Sequence, residues 1–241
     1  MEVIPTVIKP HHIPTTFPIY EDYKDIIIRR DTHIPGLTCR YECPPNQKEN
    51  EDVDGAFYTF NTTGVKWTNR EFSVDDQQIL QEHLQSLLAT KDKINIFEIG
   101  VHANPYDSSS TGTILSNKRD NDLYIGVDIV NKDFLNSKEK NIYTIQSDSI
   151  NYPIVQSVFE ELNCTSIDLF MVDGWHSLNK VYREWELYTP MLSQGGKVIF
   201  HDTNAHPGPY FVTKSIDTNM YRVQKYLNDI QDWGITVATK L

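Results

Sequence analysis

Two apolar runs, Ile167–Val172 and Val198–Phe200, each end in a cluster of acids and imidazoles. Asp173-Gly174-Trp175-His176 follows the first, and His201-Asp202-Thr203-Asn204 follows the second. Between them lie a segment with helical spacing at Val181, Trp185 and Tyr188 and a Gly195-Gly196 pair that reads as a turn. Strand, helix and strand in that order call for a crossover connection, which carries both strand ends to one edge of a parallel sheet. Open α/β folds bind their ligands at that edge. The arrangement points to an enzyme.

The same alternation extends upstream. A helix is expected from Ser73, capped by Ser73 or Asp75, with Ile79, Leu80, His83, Leu84, Leu87 and Leu88 on one face. Strands are expected at Ile94–Ile99, Leu123–Val127 and Ile142–Ile145, and a helix at Tyr152–Leu162 with Pro153 in its first turn. Beyond Phe200, Tyr210–Ile230 reads as one or two helices and Ile235–Ala238 as a last short strand. Apolar strands alternating with helices predict a mostly parallel α/β sheet covered on both faces. The residues after the strands are Gly100, Asp128, Ser147-Asp148, Asp173 and His201-Asp202. Small and polar residues thus gather at the ligand-binding edge.

Residues 1–73 read differently. Prolines at 5, 10, 14, 18, 35, 44 and 45 interrupt any long element, and Gln47–Asp54 is a polar, mostly acidic loop. This stretch is expected to be an irregular extension, either a cap over a site or an oligomer arm, with residues 74–241 forming the catalytic domain. Its aromatic residues, among them Tyr20, Tyr23, Tyr41, Phe57, Tyr58, Phe60 and Trp67, suit the roof of an apolar acceptor pocket.

Charge narrows the range of partners. Twenty-two basic side chains against 33 acidic ones give a net charge of -11, with no larger Lys/Arg cluster to offset it. That field disfavours a phosphate backbone and an anionic membrane surface, so neither nucleic acid nor a membrane is an expected partner. Glu2 and Pro5 interrupt any signal-like apolar opening, no run approaches a membrane span, and a cytoplasmic protein is expected. Three cysteines make no disulfide framework, and Cys39-x3-Cys43 near His33 lacks the second pair that a zinc site needs. The two Asn-x-Thr matches, at Asn61 and Asn163, are read as chance.

The first strand and loop define a cofactor site. Gly100 ends Glu98-Ile99-Gly100 and would let a ligand approach the backbone, while Glu98 either caps the loop or meets a charged head group. A helix beginning within Ser109-Ser110-Thr111 offers free N–H groups and hydroxyls to polar ligand atoms. No G-x-G-x-x-G and no Walker motif is present, so a ligand without pyrophosphate fits best. Asp128 at the end of the second strand can accept both hydroxyls of a ribose. Asp148 would meet an adenine amino group or, more plainly, cap the following helix, and Trp175 would stack on adenine or acceptor or simply pack in the core.

In combination, strand-EIG, strand-Asp128, strand-SDS, VDGWH and GGKVIFHD resemble the class I methyltransferases that use S-adenosylmethionine. The resemblance covers roughly residues 94–204. It is closest to metal-dependent small-molecule O-methyltransferases acting on macrolide sugars and, more distantly, on catechols, and to cephalosporin-hydroxylase-like proteins. It implies a Rossmann-like three-layer sandwich with a seven-stranded sheet. It also implies Mg²⁺ held by Asp173 and Asp202, with His176 as general base. A further carboxylate or amide often stands beside the second Asp; here Thr203 occupies that place, and Asn204, one further on, is the candidate ligand. Dimers are common in such families, so the resemblance leaves a homodimer open.

On that scheme a small-molecule hydroxyl, in a sugar diol, a polyketide or a phenolic, receives the methyl group. The plainer readings are that Asp173 caps the next helix and that His176 is a structural histidine tied to Asp173 or Asp202. His201 is expected to be a packing residue, since neighbours on a strand face opposite ways. His102 and His206 stand as loop candidates. Two rivals remain: a two-His-one-carboxylate iron oxygenase built from His176, His201, His206 and the aspartates, and a non-catalytic binding or assembly protein on the same fold.

Overall fold

A computed structural model of the chain describes residues 72–102, 108–176, 178–203, 206–226 and 233–241. The expected irregular extension falls, except for Phe72 and Ser73, outside the described residues, as does Asn204. Seven strands, β1 Asn95–Ile99, β2 Leu123–Asp128, β3 Ile142–Gln146, β4 Ile167–Val172, β5 Leu192–Phe200, β6 Tyr221–Tyr226 and β7 Ile235–Lys240, form a sheet of order β3-β2-β1-β4-β5-β7-β6. Among the described residues five helices accompany them: α1 Val74–Leu88, α2 Ser110–Asn117, α3 Tyr152–Glu161, α4 Leu178–Tyr188 and α5 Pro207–Ser215. The pairs β1·β2, β1·β4 and β2·β3 are parallel, while β7 runs antiparallel to β5 and to β6. This is the α/β sheet that the alternating pattern predicts, and the Rossmann-like, seven-stranded fold that the resemblance implies.

The described residues group into two compact units. The first comprises Phe72–Gly174 with Met191–Gly196. Ser73 opens α1 through a capping box: its hydroxyl accepts the Asp76 N–H at 3.1 Å, and the Asp76 carboxylate accepts the Ser73 N–H at 2.8 Å. Such a cap contributes about 1 kcal/mol. Leu80, Leu84 and Leu87 bury the core face of α1, with Ile79, His83 and Leu88 half-buried beside them. Deeper in, Phe97 of β1 meets Phe159 of α3 edge-on at 5.0 Å and stacks on Phe170 of β4 at 5.3 Å. β4 is buried along its whole length, as its unbroken apolar sequence requires.

The second unit comprises Trp175–Pro190 with Lys197–Leu241. Its core gathers on Trp185 of α4, which stacks on Phe200 at 5.8 Å and meets Tyr221 at 5.1 Å. The structure differs from the sequence expectation at two elements, β6 and β5. The segment 221–226, read as helix, is the strand β6; its alternation of Tyr221, Val223 and Lys225 with polar neighbours suits the exposed last strand of the sheet, where charge guards the edge. The Gly195-Gly196 pair, read as a turn, lies inside β5, where Gly195 takes a φ of +71° and the strand carries on.

Candidate active site

Within the first unit the ends of β1 and β4 are pulled together. The Gly100 N–H donates to the Val127 carbonyl at 3.0 Å, and the Asp173 N–H donates to the Ile99 carbonyl at 2.9 Å. Gly100 has a φ of +86°, and an added Cβ would stand 1.9 Å from the Asp173 carbonyl oxygen. The space over this glycine is thus taken by the chain's own β4 end. That is a sterically complete reason for glycine here, besides any ligand.

Glu98 is fully buried, and three hydroxyls converge on it. Ser110 Oγ lies 2.6 Å from its Oε1, Thr111 Oγ1 lies 3.0 Å from its Oε2, and the Tyr124 hydroxyl donates to the same oxygen. Burial pushes the Glu98 carboxyl up to about 7, with the neighbouring Asp173 charge adding to the rise against the hydroxyl contacts. Ser110 Oγ also stands 3.1 Å from Asp173 Oδ2. One hydroxyl proton cannot serve two carboxylates. When Ser110 donates to Asp173, Glu98 must hold the proton that fills the shorter contact. The hydroxyls of Ser110 and Thr111 tie the Glu98 carboxyl to the start of α2.

The other cofactor candidates line the same unit. Ser109 is the N-cap of α2, its Oγ accepting the Gly112 N–H at 3.0 Å. Asp128 accepts the Val130 N–H at 2.7 Å, and Lys132, itself buried, brings its Nζ to 3.8 Å from the other oxygen. Burial pushes the Asp128 carboxyl up, while the N–H groups of Val130 and Val101 and the Lys132 charge pull it back. Asp148 is buried and accepts the Ile150 N–H at 3.1 Å. It does not cap α3, whose N-cap is Asn151.

Within the second unit the imidazoles gather on Asp202. His176 Nε2 lies 2.6 Å from Asp202 Oδ2, and His201 Nδ1 lies 3.1 Å from Asp202 Oδ1. Burial opposes the Asp202 charge, but His201 and His176 outweigh it and hold the carboxyl well below the usual range. The argument that His201 and its neighbour must face opposite ways assumes extended backbone. Asp202 has a φ of +59°, which turns its carboxylate back toward His201. His206 stacks on His176 with ring centroids 4.8 Å apart, and its N–H donates to the Asp202 carbonyl at 3.0 Å. Trp175 is half-buried.

Residues 74–240 match a family model described as Rhamnosyl O-methyltransferase/CmcI. The chain belongs to this family. No curated protein matches it. Among solved structures, CalS11, a calicheamicin methyltransferase, shares 13% identity at a TM-score of 0.53, over 95% of this chain and 94% of that one. An apo structure of CalS11, described as a TDP-rhamnose 3'-O-methyltransferase, shares 14% at 0.53, over 95% and 96%. MycE, from the mycinamycin biosynthetic pathway and in complex with Mg and SAH, shares 14% at 0.50, over 68% of this chain and 49% of that one. The chain therefore spans about half the length of MycE, and at these identities the likeness is one of fold.

For this member of the Rhamnosyl O-methyltransferase/CmcI family, several residues of the candidate site have no local signal in the sequence. Ser110, Thr111 and Tyr124 matter only because Glu98 is buried among them. Lys132 is visible in hindsight as an i, i+4 partner of Asp128. His206 read as a loop histidine, yet it is buried at the N-cap position of α5, which Pro207 at the first helical residue foreshadows. His102 is exposed, its N–H donating to Thr111 Oγ1 at 2.9 Å.

Proposed function

We propose that the protein transfers a methyl group from S-adenosylmethionine to a hydroxyl oxygen of a small molecule, with a deoxysugar diol as the first acceptor class to test. The observation that carries this reading is the 2.6 Å contact between His176 Nε2 and Asp202 Oδ2, in a chain of an O-methyltransferase family. Asp202 accepts the Nε2 proton, fixes the tautomer and leaves Nδ1 to take the hydroxyl proton as the oxygen attacks the methyl carbon. The imidazolium so formed is stabilised by the same carboxylate, the division of labour seen in histidine–aspartate pairs generally.

On the cofactor side, Asp128 would accept the ribose hydroxyls, with Gly100, Ser109, Asp148 and Trp175 around the rest of the ligand and Glu98 holding the Ser110–Thr111 corner. The sulfonium is already a strong electrophile, so alignment of donor and acceptor supplies much of the rate. The carboxylates of Asp173 and Asp202 are oxygen donors of the kind a hard divalent ion takes one or two at a time, so they fit Mg²⁺, with Asn204 as a further ligand. When bound, the ion would supply Lewis-acid chemistry, lowering the pKa of a hydroxyl beside it.

Incubation with S-adenosylmethionine and a panel of nucleotide-linked deoxysugars, macrolide glycosides and catechols tests the proposal. The expected result is an acceptor carrying one added methyl group, seen by mass spectrometry, together with S-adenosylhomocysteine. Binding of S-adenosylhomocysteine with no turnover across the panel would favour a non-catalytic protein. Turnover that instead required Fe(II) and 2-oxoglutarate would favour the oxygenase.

A further inference from the structure

We propose that His176, Asp202 and His206 form a transition-metal site, and that Zn²⁺ bound there switches methyl transfer off by occupying the imidazole that acts as base. The regulatory half of this inference rests on the proposed methyl transfer; the metal site itself does not.

The ligand atoms of these three side chains all lie within 4.8 Å of one another. Asp202 and His206 are buried, and the His176 side chain is 12% exposed. Main-chain bonds hold the group in place: the His206 N–H donates to the Asp202 carbonyl at 3.0 Å, and the Gly208 N–H donates to the His176 carbonyl at 3.1 Å. Two imidazoles and one carboxylate are a borderline donor set. It suits Zn²⁺, Co²⁺ or Fe²⁺ far better than Mg²⁺, which asks for an all-oxygen octahedron. A neutral imidazole has a single in-plane lone pair. Once that pair is on a metal, His176 cannot accept a proton, and Asp202 is withdrawn from it at the same time. The second histidine is what separates this site from the carboxylate pair proposed for Mg²⁺.

The test uses the full-length protein freed of metal by chelation. Co²⁺ is titrated in and followed by its visible absorption, and Zn²⁺ is added to methyl-transfer assays run in excess Mg²⁺. Wild-type protein should take up one Co²⁺ with a nitrogen-ligand spectrum and lose most of its turnover at one equivalent of Zn²⁺. His206→Gln should lose the Co²⁺ band and need at least tenfold more Zn²⁺ to halve whatever turnover it retains. In wild-type protein, the ring ¹⁵N resonances of His176 and His206 should both shift on adding Zn²⁺, a readout that needs no variant. Unshifted resonances would overturn the site, as would a Co²⁺ spectrum and Zn²⁺ sensitivity unchanged in His206→Gln, because the ion would then be held without His206. If no acceptor is turned over, the Co²⁺ and NMR titrations still decide the metal site, and only its regulatory role falls with the methyl-transfer reading.

Discussion

The carbonyl oxygen of Asp173 occupies the place where a side chain on residue 100 would begin. An added Cβ on Gly100 falls 1.9 Å from that oxygen and 2.8 Å from the Gly174 Cα, at a φ of +86°. Both neighbours are backbone, so no side-chain rotation relieves the clash. Gly100 therefore sets how closely the β1 and β4 ends approach, and with it where Asp173 stands relative to Ser110.

Gly100→Ala should accordingly cost roughly 3 kcal/mol or more, the sum of overpacking and an unfavourable left-handed backbone. For a chain of this length that lowers the unfolding temperature by roughly 10 °C. Affinity for S-adenosylhomocysteine should fall as well. A variant with wild-type thermal unfolding and wild-type affinity would show that the loop relaxes without consequence.

The buried Glu98 gives a pH signature. Its carboxyl is pushed from 4.5 up to about 7 by burial, so the folded state holds the proton more tightly than the unfolded chain does. The contribution of this group to stability is fully present below about 4.5 and is lost as pH rises through about 7. Glu98→Gln keeps the neutral pattern, an N–H toward Ser110 and an oxygen toward Thr111 and Tyr124. It should match wild-type stability near pH 4.5 and exceed it at pH 8 by up to about 3 kcal/mol. Chemical denaturation at the two pH values measures this; a pH-independent difference would mean that Glu98 is ionised in the folded protein throughout.

How much of this was legible in the chain follows from range of interaction. The strands β1 to β4 and the helices between them announce themselves through unbroken apolar runs and local caps such as Ser73 and Ser109. Asp128, Asp173, His176 and Asp202 stand out because polar residues at strand ends have few other reasons to recur. The β6 strand does not, since Tyr221–Tyr226 is short, polar and stabilised by pairing with β7 rather than by its own pattern. Lys132, Tyr124 and His206 gain their roles from partners reached only after folding. Asp202 misleads in a different way, because the face-alternation rule fails where one residue adopts positive φ.

Lys132 should matter to the cofactor through Asp128. Its Nζ is 3.8 Å from the carboxylate, and both side chains are largely buried. The other groups facing Asp128 are the N–H groups of Val101 and Val130 and the Tyr124 hydroxyl. Because burial already pushes the Asp128 carboxyl up, affinity for S-adenosylhomocysteine should weaken as pH falls, and removing the ammonium should move that loss to higher pH. Lys132→Met should weaken binding by roughly three- to tenfold at pH 6, consistent with about 1 kcal/mol for such a pair, and by less at pH 8. Calorimetric titration at both values checks it. Equal losses at the two pH values would assign Lys132 to packing alone.

His176 and Asp202 should behave as one unit in turnover. His176→Gln removes the base and should lower kcat by roughly 10²- to 10⁴-fold, the usual range for a positioned acid or base. Asp202→Asn keeps the shape but offers an amide where the imidazole N–H needs an acceptor. The wrong tautomer then places a proton on Nδ1, and a loss of similar size is expected. Once either partner is gone the other has little left to contribute, so the double variant should be scarcely worse than the more damaged single one. Affinity for S-adenosylhomocysteine should stay within a few-fold throughout, since the pair serves the acceptor's proton rather than the donor's ribose. Losses that multiplied in the double variant would mean that the two side chains act separately, and that the 2.6 Å contact between them is structural.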